Sequence, residues 1–387
     1  MDDQPATEWR PFAAGVFSIG LALLGLALPL SLVAAEIITA GLLAIFLLRL
    51  VKGQKFQLSR RDLPVIAFLL IRLNAGIFSP HTELAGKGLT YLFFCSAYAI
   101  TAWNPEGRDL KTWRNFIRGL VIGGAVSSIA SFYQVVEGAQ RGIGLSGGWT
   151  VFGSLTGAAL VLGVYQSING GLFAKKYQDI ALLTLNAAGL AVSICRAEWM
   201  VAFLVLLPAG VLFYPRTSAA LTGGILALFL AITPLRERLL TIADPASNLS
   251  GREVIWAPSI KLIARKPILG HGLNSFHAIF PERLRPHMTD PGAGDWHNVY
   301  LQTAIESGLL GLAAFLWLLG MGLSLAYRRI RLAKTPPEQG IAWGLFSALA
   351  FFFIAGGLGA FLVRIPVVVL VFLMLGMISR FLTNKTS

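Results

Sequence analysis

The chain has 387 residues, of which 55% are hydrophobic and only 13% charged, and its mean hydropathy is +0.69. A soluble domain carries roughly a quarter charged residues, so the composition excludes one and points to a polytopic membrane protein. The net charge of +13 reads first as loop orientation, and second as attraction to anionic lipid or a polyanionic substrate.

Residues 1–10 are polar and acidic, and the apolar run that follows to residue 30 has no cleavage site, so it reads as a retained helix and not a signal peptide. A span needs about 20 mainly apolar residues. That criterion predicts an all-α chain of about twelve transmembrane helices, near 12–29, 31–50, 63–79, 88–103, 116–135, 150–169, 179–195, 198–214, 217–233, 299–326, 341–360 and 365–383. Cys95 and Cys195 both fall in apolar runs, too few for a disulfide framework and without metal-ligand neighbours.

Alternate short loops carry the cations. One set holds Arg49, Lys52, Lys55, Arg60 and Arg61, then Arg108, Lys111, Arg114 and Arg118, and later Arg328, Arg329, Arg331 and Lys334; the other has only scattered single charges, Lys87, Arg141, Arg196 and Arg364. The positive-inside rule places both termini in the cytoplasm. The turn at Arg196 and the long segment from about 234 to 298 then share the external face. A segment of that length is usually functional, which divides the chain into nine spans over 1–233, an external catalytic loop over 234–298 and three spans over 299–387.

The long loop has internal order. Ser250-Gly251-Arg252-Glu253 fits a capping box. Trp256, Ile260 and Ile263 share one helical face, Pro258 kinks the helix and Pro267 ends it. Beyond the turn at Gly270-His271-Gly272, several prolines and glycines keep the approach to His297 irregular. The picture is a short amphipathic helix lying on the membrane, with His297 at the water–membrane boundary where the next span starts.

Three side chains stand out chemically. Arg196, pressed between two spans, is a functional-site candidate; the plainer reading is a snorkelling arginine paired with Glu198. Arg252 sits in the first turn of the loop helix, where the dipole attracts anions, so a cation there needs an anionic partner, Glu253 or a ligand. His297 alone would read as an interfacial hydrogen-bonding residue. Arg265 and Lys266 read as dipole complements or lipid contacts. Glu306, about two turns further along, should pair inside the bundle, with Arg72 a candidate. His81, His271, His277 and His287 lack metal spacing, and no phosphate-binding loop for ATP occurs. Arginine forks match phosphate oxygens and histidine accepts protons near neutral pH. Together the three residues predict a site for a lipid-linked phosphate compound with proton transfer.

The motifs Ser250-Gly251-Arg252, Ile255-Trp256, Pro267-Ile268-Leu269-Gly270-His271-Gly272, His297-Asn298-Val299-Tyr300-Leu301-Gln302 and Glu306-Ser307-Gly308-Leu309-Leu310-Gly311 resemble, in this order and on this loop, the bacterial O-antigen ligase and polymerase superfamily. The resemblance implies a GT-C-like membrane fold with a large periplasmic loop in the inner membrane. It implies glycosyl transfer from an undecaprenyl-diphosphate-linked glycan to a sugar hydroxyl of lipid A–core, without metal, cofactor or nucleic acid, by a monomer or weak oligomer. The functional residues would be Arg196, Arg252 and His297, with Trp256, Asn298 and Tyr300 also contacting substrate. Cys195 and Ala197 depart from the small hydroxyl residue and Gly or Thr that usually flank the first arginine. His297 would activate the acceptor hydroxyl, giving inversion. Asp295 would be a rival base, a partner of Arg252 or an orienter of the ring, and Asp295→Asn should keep substantial activity.

A polymerase or a protein-glycosylating oligosaccharyltransferase shares the loop signature; the latter tend to be longer, which favours a ligase. A transporter should show broken helices in paired halves, a symmetry the sequence lacks.

Overall fold

The computed structural model describes residues 5–56, 58–213, 252–288 and 294–380, with isolated positions between 230 and 240. Among these the chain forms helices and short 3-10 turns and no strand, as its composition led one to expect. Helices α1 (Pro5–Leu30) and α2 (Leu32–Val51) part at Ser31, whose hydroxyl caps α2 by accepting the Ala34 N–H at 3.2 Å. Next come α3 (Leu63–Ile77), α4 (Thr82–Cys95) and α5 (Ala97–Ala102). The single span expected near 88–103 is therefore two helices. The Ser96 hydroxyl and N–H both turn back to the Phe93 carbonyl, which tightens the chain at that point.

Helices α6 (Leu110–Val136), α7 (Trp149–Ile168), α8 (Lys176–Val192) and α9 (Arg196–Phe213) then run up and down. The loop contributes α10 (Arg252–Trp256), α11 (Ser259–Arg265) and α12 (Phe276–Ile279), and the chain finishes with α13 (Val299–Leu332), α14 (Pro336–Ala355) and α15 (Ile365–Arg380). Five of these, α2, α6, α7, α13 and α14, are long and apolar enough to cross a membrane; α3, α15 and the Ala14–Leu30 part of α1 are shorter apolar helices. The span expected near 217–233 and the capping residue Ser250 lie outside the described residues.

A helix that is apolar all round is buried, and α15 is the axis of the bundle: every residue from Pro366 to Arg380 is buried. By contrast α2 turns Val33, Ile37, Leu47 and Leu48 outward, an apolar surface suited to lipid. Helices α1 and α6 pack closely because Gly25, Gly119 and Gly123 leave no room for a Cβ against the facing backbone.

Helix α13 is interrupted at Gly308, where φ is 70° and ψ −175°. The backbone groups freed there are taken by the loop: Leu309 N donates to Pro267 O at 2.6 Å, His271 N to Ile305 O at 2.8 Å and Gly272 N to Glu306 O at 3.0 Å. A Cβ on Gly308 or Gly270 would strike the opposite backbone. The Pro-x-x-Gly-x-Gly and Glu-x-Gly motifs are thus two halves of one clasp that fixes the loop to the bundle. Glu306 sits inside it, pairing with Arg72 at 2.8 Å as the sequence suggested, and accepting from Gln302 Nε2 and the Asn274 N–H at 3.0 Å each. Both charges are buried, and removing one partner of a buried pair costs about 3–5 kcal/mol. Arg72→Met is therefore expected to lower the unfolding temperature in detergent sharply, and Arg72→Met/Glu306→Leu to recover most of the loss. A double variant as unstable as the single one would show that the pair is not what holds the clasp.

The loop has a small core of its own, with Ile255, Leu262, Phe276, Phe280, Met288 and Trp296 packed on Ile305 of α13. The expected end at Pro267 is present, because α11 stops before it, while the kink expected at Pro258 is a full break between α10 and α11. The expected apolar face is corrected in one place. Trp256 and Ile263 pack on this core, but Ile260 is 74% exposed, and Ile255, Ser259 and Leu262 point inward instead. The inward face keeps the i, i+4, i+7 spacing across Pro258 but starts one residue earlier, at Ile255. His271 fastens α11, its Nε2–H donating to Leu262 O at 2.8 Å. Burial, aided by Lys266 and Arg265, holds its pKa below the usual histidine value even though that hydrogen bond works the other way, so the ring stays neutral.

Candidate active site

Gly142 N bonds to Val192 O at 2.9 Å and Val299 N to Gly356 O at 2.8 Å. The first bond joins the loop before α7 to the α8–α9 turn, and the second joins the start of α13 to the end of α14. The start of α13 is held firmly there. Asn298 is its N-cap, accepting from the N–H groups of Tyr300 and Leu301 at 2.9 and 3.0 Å, while its amide donates to Gly357 O at 2.9 Å. The Tyr300 hydroxyl donates to Phe353 O at 2.6 Å. Trp296 is wholly buried against Phe276 and Phe280, and its carbonyl accepts from Trp256 Nε1 at 3.0 Å.

His297, fixed on both sides, lies in the left-handed region with φ of +48°. A side chain rarely occupies that region unless its surroundings impose it, and such strain gathers at functional sites. Here the left-handed turn folds His297 back on Asp295. The carboxylate Oδ1 accepts from the His297 backbone N–H at 2.8 Å and lies 3.0 Å from Nδ1. Its Oδ2 is 3.3 Å from Nη2 of Arg364. Burial opposes the charge on Asp295, but the hydrogen bond from His297 and the charge of Arg364 outweigh it and hold the carboxyl below its usual range. An ionised carboxylate at Nδ1 requires a proton on that nitrogen, which leaves the Nε2 lone pair free to accept one. The His297 side chain is 26% exposed and can be reached.

Arg364 stands in the turn between α14 and α15 and is central to the charge pattern. Its charge reaches Asp295 on one side and Glu198, in the first turn of α9, on the other. Arg252 also acts on Glu198, which accepts a hydrogen bond from Ser154 of α7. Arg364, Asp295 and His297 are therefore in contact, and Glu198 lies within electrostatic reach of Arg364 and Arg252. Arg196 opens α9 two residues before Glu198 and is buried, two residues after Ile194, whose φ is +54°.

Of the residues singled out from sequence, the structure pairs His297 with Asp295 and puts Arg196 on the same turn as Glu198, whose carboxyl feels the charge of Arg252. Trp256, Asn298 and Tyr300 are engaged with backbone carbonyls that brace the start of α13. Asp295 meets the ring, one of its expected roles, but the arginine beside it is Arg364 and not Arg252, because the turn between α14 and α15 brings Arg364 to it. Sequence reasoning treated Arg364 only as a stray loop charge. Its signal was present all the same: a lone cation between two apolar runs. Arg141, which stacks on Trp149 at 4.6 Å and acts on Cys195 from the same end, was passed over in the same way.

Residues 181–316 match the family described as O-antigen ligase. This supports membership of the O-antigen ligase superfamily. The match takes in α8, α9, the loop and the first half of α13, so it contains Arg196, Arg252 and His297, while Arg141 and Arg364 fall outside it. It supports an O-antigen ligase/polymerase-type membrane glycosyltransferase, a family whose substrate is a lipid-linked glycan. With the apolar helices it also indicates a multi-pass membrane protein. No curated protein matches the chain.

Proposed function

We propose that the chain is an O-antigen ligase, moving O-antigen polysaccharide from undecaprenyl diphosphate to a sugar hydroxyl of lipid A–core at the periplasmic face of the inner membrane, with both termini in the cytoplasm. The observation that carries this reading is the Asp295–His297 pair, with Nε2 open, at the end of a run of charges that includes two arginines.

His297 Nε2 takes the proton from the acceptor hydroxyl as its oxygen attacks the anomeric carbon. The bond from that carbon to the diphosphate breaks on the opposite face, giving an inverted product. Negative charge builds on the departing diphosphate, and Arg252 and Arg196 stabilise it. Asp295 fixes the ring tautomer, and Arg364 is a positioning residue that holds Asp295 in place. These steps use only the chain's own side chains.

The test is transfer by the purified protein in lipid nanodiscs, given a lipid-linked glycan donor and lipid A–core, with a chelator present. The expected product is lipid A–core bearing the polymer, with the anomeric configuration inverted. Retention of configuration, or activity abolished by the chelator, would overturn the one-step, metal-independent scheme. A polymerase remains the alternative within the superfamily, and a deletion strain separates the two. Loss of a ligase leaves lipid A–core bare while lipid-linked polymer accumulates; loss of a polymerase leaves single units attached.

A further inference from the structure

At the opposite end of the bundle from His297, a cavity of about 390 Å³ lies between the start of α6, the end of α7 and the start of α14. Lys111, Arg114 and Arg118 line it at intervals of three and four residues, one stripe along α6. Like charges so spaced repel one another, and no acidic residue lines the cavity. The acid behind this wall, Asp179, is already taken up by the N–H groups of Leu172 and Phe173 and by Ser167.

The arginines are held as fixed arms. Arg118 Nε donates to Leu172 O at 2.6 Å and its Nη1 to Asn115 Oδ1 at 3.0 Å, while Arg114 Nη2 donates to Gly170 O at 3.2 Å. Arg114 Nε is buried with no hydrogen-bond partner. Across the cavity Gln166 is completely buried, and neither its Oε1 nor its Nε2 has a partner. Buried amides are almost always hydrogen-bonded, so a wholly orphaned one facing three cations signals an absent ligand. The N-termini of α6 and α14 are already capped, by Asp109 and by Thr335 with Glu338 in the first turn, so the positive potential comes from the three cations. Leu110, Pro337 and Ile341 give the remaining wall an apolar character.

We propose that this cavity binds the phosphate of an anionic phospholipid. The cations and the Gln166 amide take the phosphate oxygens, and the apolar wall takes the glycerol end. Basic pockets between membrane helices suit such headgroups.

The test uses the delipidated full chain in neutral detergent, read by native mass spectrometry and by thermal unfolding, with phosphatidylglycerol, phosphatidylcholine or inorganic phosphate added. Lys111→Gln is exposed and Gln166→Leu removes an unpartnered amide at similar volume, so both variants are expected to fold. Wild type should keep one phosphatidylglycerol per chain and gain stability from it, with little response to phosphatidylcholine or phosphate. The double variant should bind the anionic lipid at least tenfold more weakly, whereas Lys55→Gln, an exposed cation outside the cavity, should bind as wild type. Equal binding of the two lipids, or equal binding by wild type and the double variant, would overturn the site. Protection by inorganic phosphate as strong as by the lipid would overturn the lipid assignment in favour of a free anion.

Discussion

His297→Ala is expected to insert, fold and still bind the lipid-linked donor, yet to transfer at about one-hundredth of the wild-type rate or less. A positioned general base contributes roughly 10²–10⁴-fold, and a sugar hydroxyl is too weak a nucleophile to manage without one. The fold should survive, because the start of α13 is held by Trp296, Asn298 and Tyr300, none of which depends on the imidazole. Asp295→Asn separates orientation from proton transfer. From sequence alone this variant was expected to keep substantial activity; the contacts to both His297 and Arg364 revise that. An amide can turn its NH₂ toward Nδ1, stabilise the wrong tautomer and release Arg364, so a loss on the order of 10²-fold or more is expected. Because the Asp295 pKa is lowered in the folded protein, its ion pair contributes stability above the usual aspartate value near 4. That contribution fades only as pH falls through the lowered value. Any loss of activity between pH 5 and 7 must then come from a group other than Asp295. Purified His297→Ala retaining more than a tenth of wild-type turnover would remove the residue from the base role.

The sequence showed the features that are local. Proline removes a backbone donor and perturbs a helix locally, so the breaks at Pro258 and Pro267 could be placed without a fold. Glu306 and Arg72 were matched because each is a charge in an apolar run and bundle interiors tolerate such charges mainly as pairs. Contacts across long stretches of chain were not legible. Asp295 and Arg364 are brought together by the return of α14, and nothing near either residue announces the other. The glycine motifs were legible as motifs but not as a clasp, because their meaning is a close approach of two backbones from different parts of the chain. The resemblance implied that Asn298 and Tyr300 contact substrate. Their hydrogen bonds show a nearer task, fixing the helix start that aims the histidine.

The charge on the leaving group sets the second large effect. As the sugar–oxygen bond breaks, the diphosphate gains negative charge, and a fixed donor aimed at such charge is worth about 3–4 kcal/mol in the transition state. Arg252→Ala is therefore expected to reduce transfer by about 10²–10³-fold, mainly in kcat, since the charge it meets appears mainly after binding. Arg252→Lys should recover little of this, because an ammonium keeps the charge but loses the planar fork that engages two phosphate oxygens together. The buried Glu198 carboxyl lies within electrostatic reach of both Arg252 and Arg364. Arg364→Ala should differ from Arg252→Ala in kind: it removes the partner of Asp295, lowering the rate while also altering its pH profile, which Arg252→Ala leaves in place. Measured side by side on the purified protein, a fully active Arg252→Ala would sink the leaving-group role. An Arg364→Ala variant with an unchanged pH profile would break the proposed link between the arginine cluster and the histidine.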